Sequence, residues 1–259
     1  MYPQARKRFG QNFLQDDAII DSIVAAISPE GHQHLVEIGP GRGALTAPLL
    51  ASGAQLDVIE LDRDLVPLLQ NQFNTADNLT MHNADALQFD YRPLAADGKK
   101  LRVIGNLPYN ITTPLLFHLL SQSEVIEDMC FMLQKEVVER ICAAPGSKQY
   151  GRLTIMLQYQ CAAESLFNVP PEAFEPMPKV DSAIIYLQPR QQPLAGQVDS
   201  EQLNKLVTQA FSQRRKTIAN TLKKLVTIEQ LEAAEIAPEQ RPETISIEQF
   251  VRLAQIVTD

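Results

Sequence analysis

The stretch that decides the fold is Leu35-Val-Glu-Ile-Gly-Pro-Gly-Arg-Gly43, a short apolar run that ends in closely spaced glycines. A helical segment, 44–51, follows it, and a second apolar strand, 55–60, comes next. This order is typical of nucleotide-binding sheets, because glycine allows a tight turn and the close approach of a ligand. Glu60 ends the second strand, about 20 residues after the glycines, where a carboxylate can accept both hydroxyls of a ribose. We therefore predict a nucleoside site formed by Glu60 and the glycine loop, with Gly39 and Gly41 as contacts.

Strands and helices alternate along most of the chain. Apolar runs predict strands at 35–38, 55–60, 79–82, 101–104, 129–133, 161–169 and 182–187, and helical spacing predicts helices at 16–27, 44–51, 65–73, 113–120 and 150–160. The alternation up to 129–133 indicates a parallel sheet with helices on both faces. The pattern then changes, and strands 161–169 and 182–187 are separated by a proline-rich loop rather than a helix. We therefore predict an α/β fold with a Rossmann-like sheet.

The pattern changes after a segment rich in Gln, Pro and Gly at 188–200. Beyond it the spacing of apolar residues is helical, at 200–212, 215–226, 228–235 and 246–257. We predict two domains, a Rossmann-like catalytic domain at 1–189 and a small all-α domain at 190–259.

The composition is that of an ordinary globular protein, with 259 residues of which 45% are hydrophobic. The three cysteines are far apart and form no CxxC pair, so we expect reduced thiols and no metal site. There is no secretory-signal pattern and no run of about 20 apolar residues, and we therefore expect a cytoplasmic protein with no membrane partner. The net charge of −8 predicts weak non-specific affinity for nucleic acid, although Arg214, Arg215 and Lys216 form a local basic cluster.

The segment Gly105-Asn-Leu-Pro-Tyr-Asn110 follows the fourth predicted strand, at the end where open α/β sheets bind ligands. Adenine N6 is a poor nucleophile because its lone pair is delocalised into the ring. The Asn106 amide oxygen and the Leu107 carbonyl would accept the N6 protons and free this lone pair, while Pro108 fixes the backbone. Tyr109 offers a face on which the base can stack. We therefore predict methylation of an exocyclic amine, with S-adenosylmethionine as the cofactor and Asp85, after the third strand, as a contact to its adenine.

Several longer motifs resemble those of one family. They are Phe9-Gly-Gln-Asn-Phe-Leu14, Glu37-Ile-Gly-Pro-Gly41, Val58-Ile-Glu-Leu-Asp62, Asn106-Leu-Pro-Tyr-Asn110, Phe131-Met-Leu-Gln-Lys-Glu136, Tyr150-Gly-Arg-Leu153, Phe174-Glu-Pro-Met-Pro-Lys-Val-Asp-Ser182 and Phe211-Ser-Gln-Arg-Arg-Lys-Thr217. Their order and residues are similar to those of the ribosomal RNA adenine dimethyltransferases of the kasugamycin-sensitivity type. The resemblance covers nearly the whole chain.

The resemblance implies dimethylation of N6 on two adjacent adenines near the 3′ end of small-subunit (16S) rRNA, within the immature 30S particle, by a monomeric enzyme. It also implies that S-adenosylmethionine contacts Asn12, Leu14, Gly39, Glu60, Asp85 and Asn106. Tyr109 and Phe174 would sandwich an adenine that is flipped out of its stack. Arg214, Arg215 and Lys216 would open a helix and contact phosphates. Arg42 is a small departure, since many relatives have an uncharged residue there.

Three alternatives stay open at this point. A large-subunit rRNA adenine methyltransferase would share the cofactor motifs and the tetrad 106–109. An assembly factor that acts mainly by binding the immature small subunit would be compatible with the same sequence. An NAD-dependent dehydrogenase would explain the glycine loop and Glu60, but it leaves the tetrad without a role.

Overall fold

The computed structural model describes residues 6, 10–213 and 215–258. The chain forms two compact units. The first comprises Met1–Val138 and Glu164–Pro189, and the second comprises Glu139–Ala163 and Arg190–Asp259. Residues 139–163, which the sequence places in the first domain, therefore belong to the compact unit that contains the C-terminal helices.

The strands and helices alternate over the first two thirds of the chain. The strands are β1 (Phe13–Leu14), β2 (His34–Ile38), β3 (Gln55–Glu60), β4 (Leu79–Asn83), β5 (Leu101–Asn106), β6 (Ile126–Gln134), β7 (Cys161–Val169), β8 (Phe174–Glu175) and β9 (Ser182–Pro189). The helices are α1 (Asp17–Ile27), α2 (Thr46–Ala51), α3 (Val66–Gln72), α4 (Thr112–Leu120), α5 (Lys135–Ile141), α6 (Arg152–Gln160), α7 (Ser200–Ala210), α8 (Ile218–Leu222), α9 (Ile228–Ala233) and α10 (Ile247–Thr258).

Seven strands form one sheet in the order β4-β3-β2-β5-β6-β9-β7, and β1 pairs with β8 in a second, two-stranded sheet. Strand β2 is parallel to both β3 and β5, and these are parallel in turn to β4 and β6. After β2, the chain places β3 and β4 on one side of this strand and then β5 and β6 on the other side. The direction in which strands are added to the sheet therefore reverses between β2 and β5. Open α/β sheets bind their ligands at this point, outside the carboxyl ends of the strands.

The central strands are buried on both faces. All residues of β2 and the first five of β5 are buried, as expected for parallel strands between two layers of helices. Asp16 caps the N-terminus of helix α1, where its carboxylate accepts the Ile19 N–H at 3.1 Å, and the helix buries Ile23 and Ile27. The same hydrophobic cluster contains Leu14 and Phe174, so β1 and β8 are part of the core.

The structure adds strands β1 and β8 to the predicted elements and differs from them in other details. Strand β9 runs antiparallel to β6, so the seven-stranded sheet is mixed rather than wholly parallel. Helix α5 is not among the predicted helices, although Val138 and Ile141 have helical spacing. The predicted helix 215–226 is reduced to α8, which begins after Thr217.

The second compact unit is mostly helical. Asp199 caps the N-terminus of helix α7, where its carboxylate accepts the Glu201 N–H at 3.0 Å. The rings of Tyr150, Phe211 and Phe250 pack with centroids 6.4 and 6.1 Å apart. Within the described ranges, no helix combines the length and apolar character that a membrane-spanning segment requires.

Candidate functional site

A pocket opens at the carboxyl ends of β2, β3 and β5, the position that the strand order indicates. Its wall brings together ten of the residues predicted from the sequence. These are Asn12, Leu14, Gly39, Gly41, Glu60, Asp85, Asn106, Leu107, Pro108 and Tyr109. Residues from five separate parts of the chain therefore form one site.

The glycine loop needs glycine for its backbone and for its packing. Gly39 and Gly41 have φ angles of +67° and +59°, which residues with a side chain rarely adopt. A Cβ at Gly41 would also lie 3.1 Å from the Phe13 ring. The Arg42 guanidinium lies 4.3 Å from the centroid of that ring, on the pocket wall. The loop thus leaves its backbone open to a ligand on one side and packs against the N-terminal segment on the other.

The Glu60 carboxylate is fixed by two backbone groups. Its Oε1 accepts the Asp62 N–H at 2.8 Å, and its Oε2 accepts the Gly41 N–H at 3.3 Å. Burial raises the pKa of Glu60, although these hydrogen bonds act in the opposite direction. Each oxygen has a further lone pair, so the carboxylate can still accept the two hydroxyls of a ribose. This geometry fits a nucleoside cofactor.

Glu37 is a second buried acid on the pocket wall. The Thr46 hydroxyl donates to its Oε2 at 2.6 Å. Burial raises the pKa of Glu37 to about 7, which the hydrogen bond from Thr46 only partly opposes. The sequence shows Glu37 directly before the glycine loop, but it does not show that this carboxyl lies in the interior of the protein.

The N-terminal segment contacts the tetrad directly. The Asn106 Nδ2 donates to the Asn12 carbonyl at 3.0 Å. Since the amide nitrogen is used in this way, Oδ1 is the atom of Asn106 that remains as an acceptor. The orientation that methylation of an amine would require is therefore set by a residue that is 94 positions away in sequence.

The other tetrad residues are held by the backbone and by one side chain. Leu107 is buried, and its N–H donates to the Met132 carbonyl at 3.2 Å. The Pro108 carbonyl accepts the Ile111 N–H at 3.1 Å, which starts the turn into α4. The Tyr109 hydroxyl is hydrogen-bonded to Ser182 Oγ at 2.8 Å, and burial raises its pKa. The ring of Tyr109 thus has a fixed position on the pocket wall.

A family model described as Ribosomal RNA adenine dimethylase matches residues 3–259. The chain belongs to the ribosomal RNA adenine dimethylase family. A relative from Pseudomonas aeruginosa, named Ribosomal RNA small subunit methyltransferase A, is 57% identical over 97% of this chain and 94% of its own length. A relative of the same name from Hahella chejuensis is 53% identical over 99% of this chain and 94% of its own length. The predicted family and enzyme class are confirmed.

Two solved structures of related enzymes share this fold. A dimethyladenosine transferase from Plasmodium falciparum superposes with a TM-score of 0.79 at 26% identity, covering 93% of this chain and 95% of its own. The 23S rRNA methyltransferase ErmE superposes with a TM-score of 0.75 at 26% identity, covering 96% and 100% of the two chains. The predicted fold class is therefore confirmed for this member of the dimethylase family.

Asp85 and Phe174 differ in how they stand to the pocket. The Asp85 carboxylate lines the pocket but also accepts the Leu87 N–H at 3.0 Å, so it stabilises its own turn as well. Phe174 is 5% exposed in the hydrophobic cluster and is not among the described residues that line the pocket. Its role against a flipped base stays a prediction.

The basic cluster is described only in part. Arg214 lies outside the described residues. Arg215 and Lys216 are exposed, and they lie in a turn before α8 rather than in its first turn. The prediction that these residues open a helix is therefore wrong for Arg215 and Lys216, because Thr217 is still in an extended conformation, with ψ at 161°.

Some residues of this pocket were not assigned from the sequence. Gly10, Gln11 and Phe13 line it, as does Leu61, whose side chain is 49% exposed. Leu61 follows Glu60 directly, so its position at the end of β3 could have indicated a pocket residue. For the N-terminal residues, only the resemblance to the dimethylase family gave a signal, since a polar N-terminus has no distinctive periodicity.

Proposed function

We propose that the protein transfers methyl groups from S-adenosylmethionine to N6 of two adjacent adenines near the 3′ end of small-subunit (16S) rRNA. The observation that carries this proposal is the Asn106 amide, held by the Asn12 carbonyl in the same pocket as the Glu60 carboxylate. The arrangement provides one group for the cofactor and one for the acceptor amine. Placing both reactants in one pocket is the main contribution that such a reaction needs from the protein.

The chain's residues fit the cofactor by their chemistry. Glu60 would accept the ribose hydroxyls, and Gly39 and Gly41 allow the ligand to approach the backbone. Asp85, with lone pairs beyond those used in its turn, would accept the adenine amine. When bound, S-adenosylmethionine supplies a methyl group from a positively charged sulfur. The neutral thioether that remains is the leaving group. Asn12 and Leu14 would form the opposite wall.

The acceptor amine would be bound by the tetrad. Asn106 Oδ1 and the Leu107 carbonyl would accept hydrogen bonds from its N–H groups, which frees the N6 lone pair to form the new N–C bond as the S–CH3 bond of the cofactor breaks. The nitrogen then loses a proton, and no strong general base is required because the methylated amine is acidic. Tyr109 would stack on the base, at about 1–3 kcal/mol for such a contact. Phe174 is proposed as the second stacking residue once the base has been flipped out.

The comparisons favour the small-subunit substrate over the large-subunit alternative. Relatives named small subunit methyltransferase reach 57% identity, whereas the 23S enzyme ErmE is 26% identical. Family membership also leaves the dehydrogenase alternative without support. We propose that the monomeric protein acts in the cytoplasm on rRNA in the immature 30S particle. The helical domain at 190–259 would contact phosphates through Arg214, Arg215 and Lys216.

The test is the transfer of labelled methyl groups to unmethylated small subunits, with the modified nucleotides mapped. We expect N6,N6-dimethyladenine at two adjacent positions near the 3′ end. Naked large-subunit RNA serves as the alternative substrate, and methylation of that RNA alone would support the large-subunit activity instead. If no methyl is transferred to subunits that the protein binds, the proposed activity is wrong.

An Asn106→Ala variant separates catalysis from an assembly role. Removing one preorganised polar group from an active site reduces turnover by about 10²- to 10³-fold. We expect that loss in methyl transfer, with unchanged binding of small subunits and an unchanged midpoint of thermal unfolding. If the variant methylates at the wild-type rate, Asn106 does not bind the acceptor amine.

A further inference from the structure

One wall of the pocket has little support from regular structure. Five consecutive residues, Gly10–Leu14, line the pocket, yet only Phe13 and Leu14 are paired in a strand. That strand, β1, is two residues long and pairs with a two-residue β8. Isolated pairs of short strands are marginally stable. The position of this wall must therefore depend on other contacts.

Besides the Asn106–Asn12 hydrogen bond and the burial of Phe13 and Leu14, contacts of this segment converge on the carboxylate of Asp62, which is 2% exposed. Arg6 Nη1 donates to Asp62 Oδ1 at 2.9 Å, and Gln11 Nε2 donates to Asp62 Oδ2 at 3.1 Å. The Arg6 N–H donates to Gln11 Oε1 at 2.8 Å, and Arg6 also pairs with Asp64. Arg6 and Gln11 thus tie the N-terminal segment to the loop that follows β3.

Asp62 is connected to the cofactor site as well. Its N–H donates to Glu60 Oε1, on the carboxylate proposed to bind the ribose. The residue therefore orients Glu60 with its backbone and the N-terminal wall with its side chain. Removal of Arg6 would leave the Asp62 carboxylate with only neutral hydrogen-bond donors. A buried carboxylate without a charged partner is strongly unfavourable, so the contact should open in that variant.

We propose that Arg6 and Asp62 are positioning residues for cofactor binding. Their ion pair, together with Gln11, holds Gly10–Leu14 in place as a wall of the pocket. A wall that is held in place should lengthen the residence time of the bound cofactor. The identity of the ligand rests on the proposed function, whereas the connection of the wall to Asp62 does not.

The first test compares Arg6→Ala with Arg92→Ala. Arg92 is a matched control, because it also contacts two carboxylates, those of Asp90 and Glu124, but it does not line the pocket. We expect Arg6→Ala to bind S-adenosylmethionine about tenfold more weakly, through faster dissociation, which corresponds to about 1.4 kcal/mol. The KM for the cofactor should rise by the same factor, with kcat at saturating cofactor unchanged. Arg92→Ala should match the wild type in all of these measurements.

Hydrogen exchange of the free protein gives a readout that needs no ligand. Amides of residues 11–14 should exchange faster in Arg6→Ala than in the wild type, with unchanged exchange in β2 and β5. Equal exchange at 11–14 together with equal cofactor dissociation would overturn the proposal. An affinity loss that accompanies exchange throughout the sheet would also overturn it, since the pair would then be a general stability element.

A second variant, Asp62→Asn, tests the pair itself. It keeps the N–H that donates to Glu60, removes the charge and replaces one of the two acceptor oxygens with a donor. In a double-mutant cycle, the two changes together should weaken cofactor binding no more than Arg6→Ala alone, because each breaks the same contact. Additive losses would overturn the proposal. If wild-type protein does not bind S-adenosylmethionine, the proposed function fails, and the exchange measurement still decides whether the pair holds the wall.

Discussion

Two acids on the same strand, Asp57 and Glu60, have opposite surroundings. Asp57 is hydrogen-bonded to His34 at 2.6 Å and to His82 at 2.5 Å, and it does not line the pocket. Burial acts to raise its pKa, but the two histidines outweigh burial and hold the pKa below its usual value. Glu60 has only backbone N–H donors, and burial keeps its pKa above the usual value.

The difference between the two acids extends to other buried carboxylates. Away from the pocket, Asp57 and Asp128 have basic side-chain partners, and Arg102 Nε donates to Asp128 at 3.0 Å. In the pocket, Glu37 and Glu60 are buried without a basic partner among their hydrogen bonds. A buried acid without a basic partner contributes unfavourably to the free energy of folding. Its oxygens, however, remain available to bind a ligand. Asp57 should therefore matter for stability and Glu60 for the cofactor.

The largest effect is expected from Asp57→Ala. The change leaves His34, which is buried, and His82 without the carboxylate that both contact. Removing one member of a buried, hydrogen-bonded group of this kind destabilises a protein by about 3–5 kcal/mol. Urea unfolding should show this loss, while calorimetry should show cofactor affinity within about threefold of the wild type. A normal free energy of unfolding with weakened cofactor binding would reverse the comparison.

A pH-dependent effect is expected from Glu37. Its pKa is raised from 4.5 to about 7 in the folded protein, so the folded state holds the proton more tightly than the unfolded state. Stability should therefore fall as the pH rises through this window, by about 3 kcal/mol at most. Glu37→Gln keeps the shape and the acceptor for Thr46 but does not titrate, and its unfolding curves should lack this slope. Parallel pH profiles for the two proteins would contradict the assignment.

The smallest of these effects is expected from Glu60→Gln. The variant loses a charged acceptor for the ribose hydroxyls, and hydrogen bonds to charged groups contribute about 1.5–3 kcal/mol. We expect cofactor binding to weaken by about 30-fold, with a free energy of unfolding equal to or above that of the wild type. Asp57→Ala serves as the contrast in the same calorimetric measurement. Equal affinities for Glu60→Gln and the wild type would mean that this acid does not contact the ribose.

Much of the fold could be predicted because its signals are local. Strand β3 matches its predicted range, 55–60, and β2 and β5 differ from theirs only at the ends, since continuous apolar runs bounded by glycines have few other interpretations. Helix α8 could not be delimited in this way. Its sequence has helical spacing, but Thr217 is extended, and the spacing of apolar residues does not show where a helix begins.

The sequence by itself predicted the chemistry of the site, because Glu60 and the residues Asn106–Tyr109 lie in short motifs whose residue types suit the proposed reaction. Only the tertiary structure decided how these groups are held. The Asn106 amide is oriented by Asn12, the Tyr109 hydroxyl by Ser182, and the N-terminal wall by Asp62. These contacts join residues that are distant in sequence, and no local periodicity records such pairings. Asp57 is paired with two histidines, whereas the oxygens of Glu60 remain available to a ligand. Which of these applies to a buried acid depends on the side chains that the fold brings within hydrogen-bonding distance.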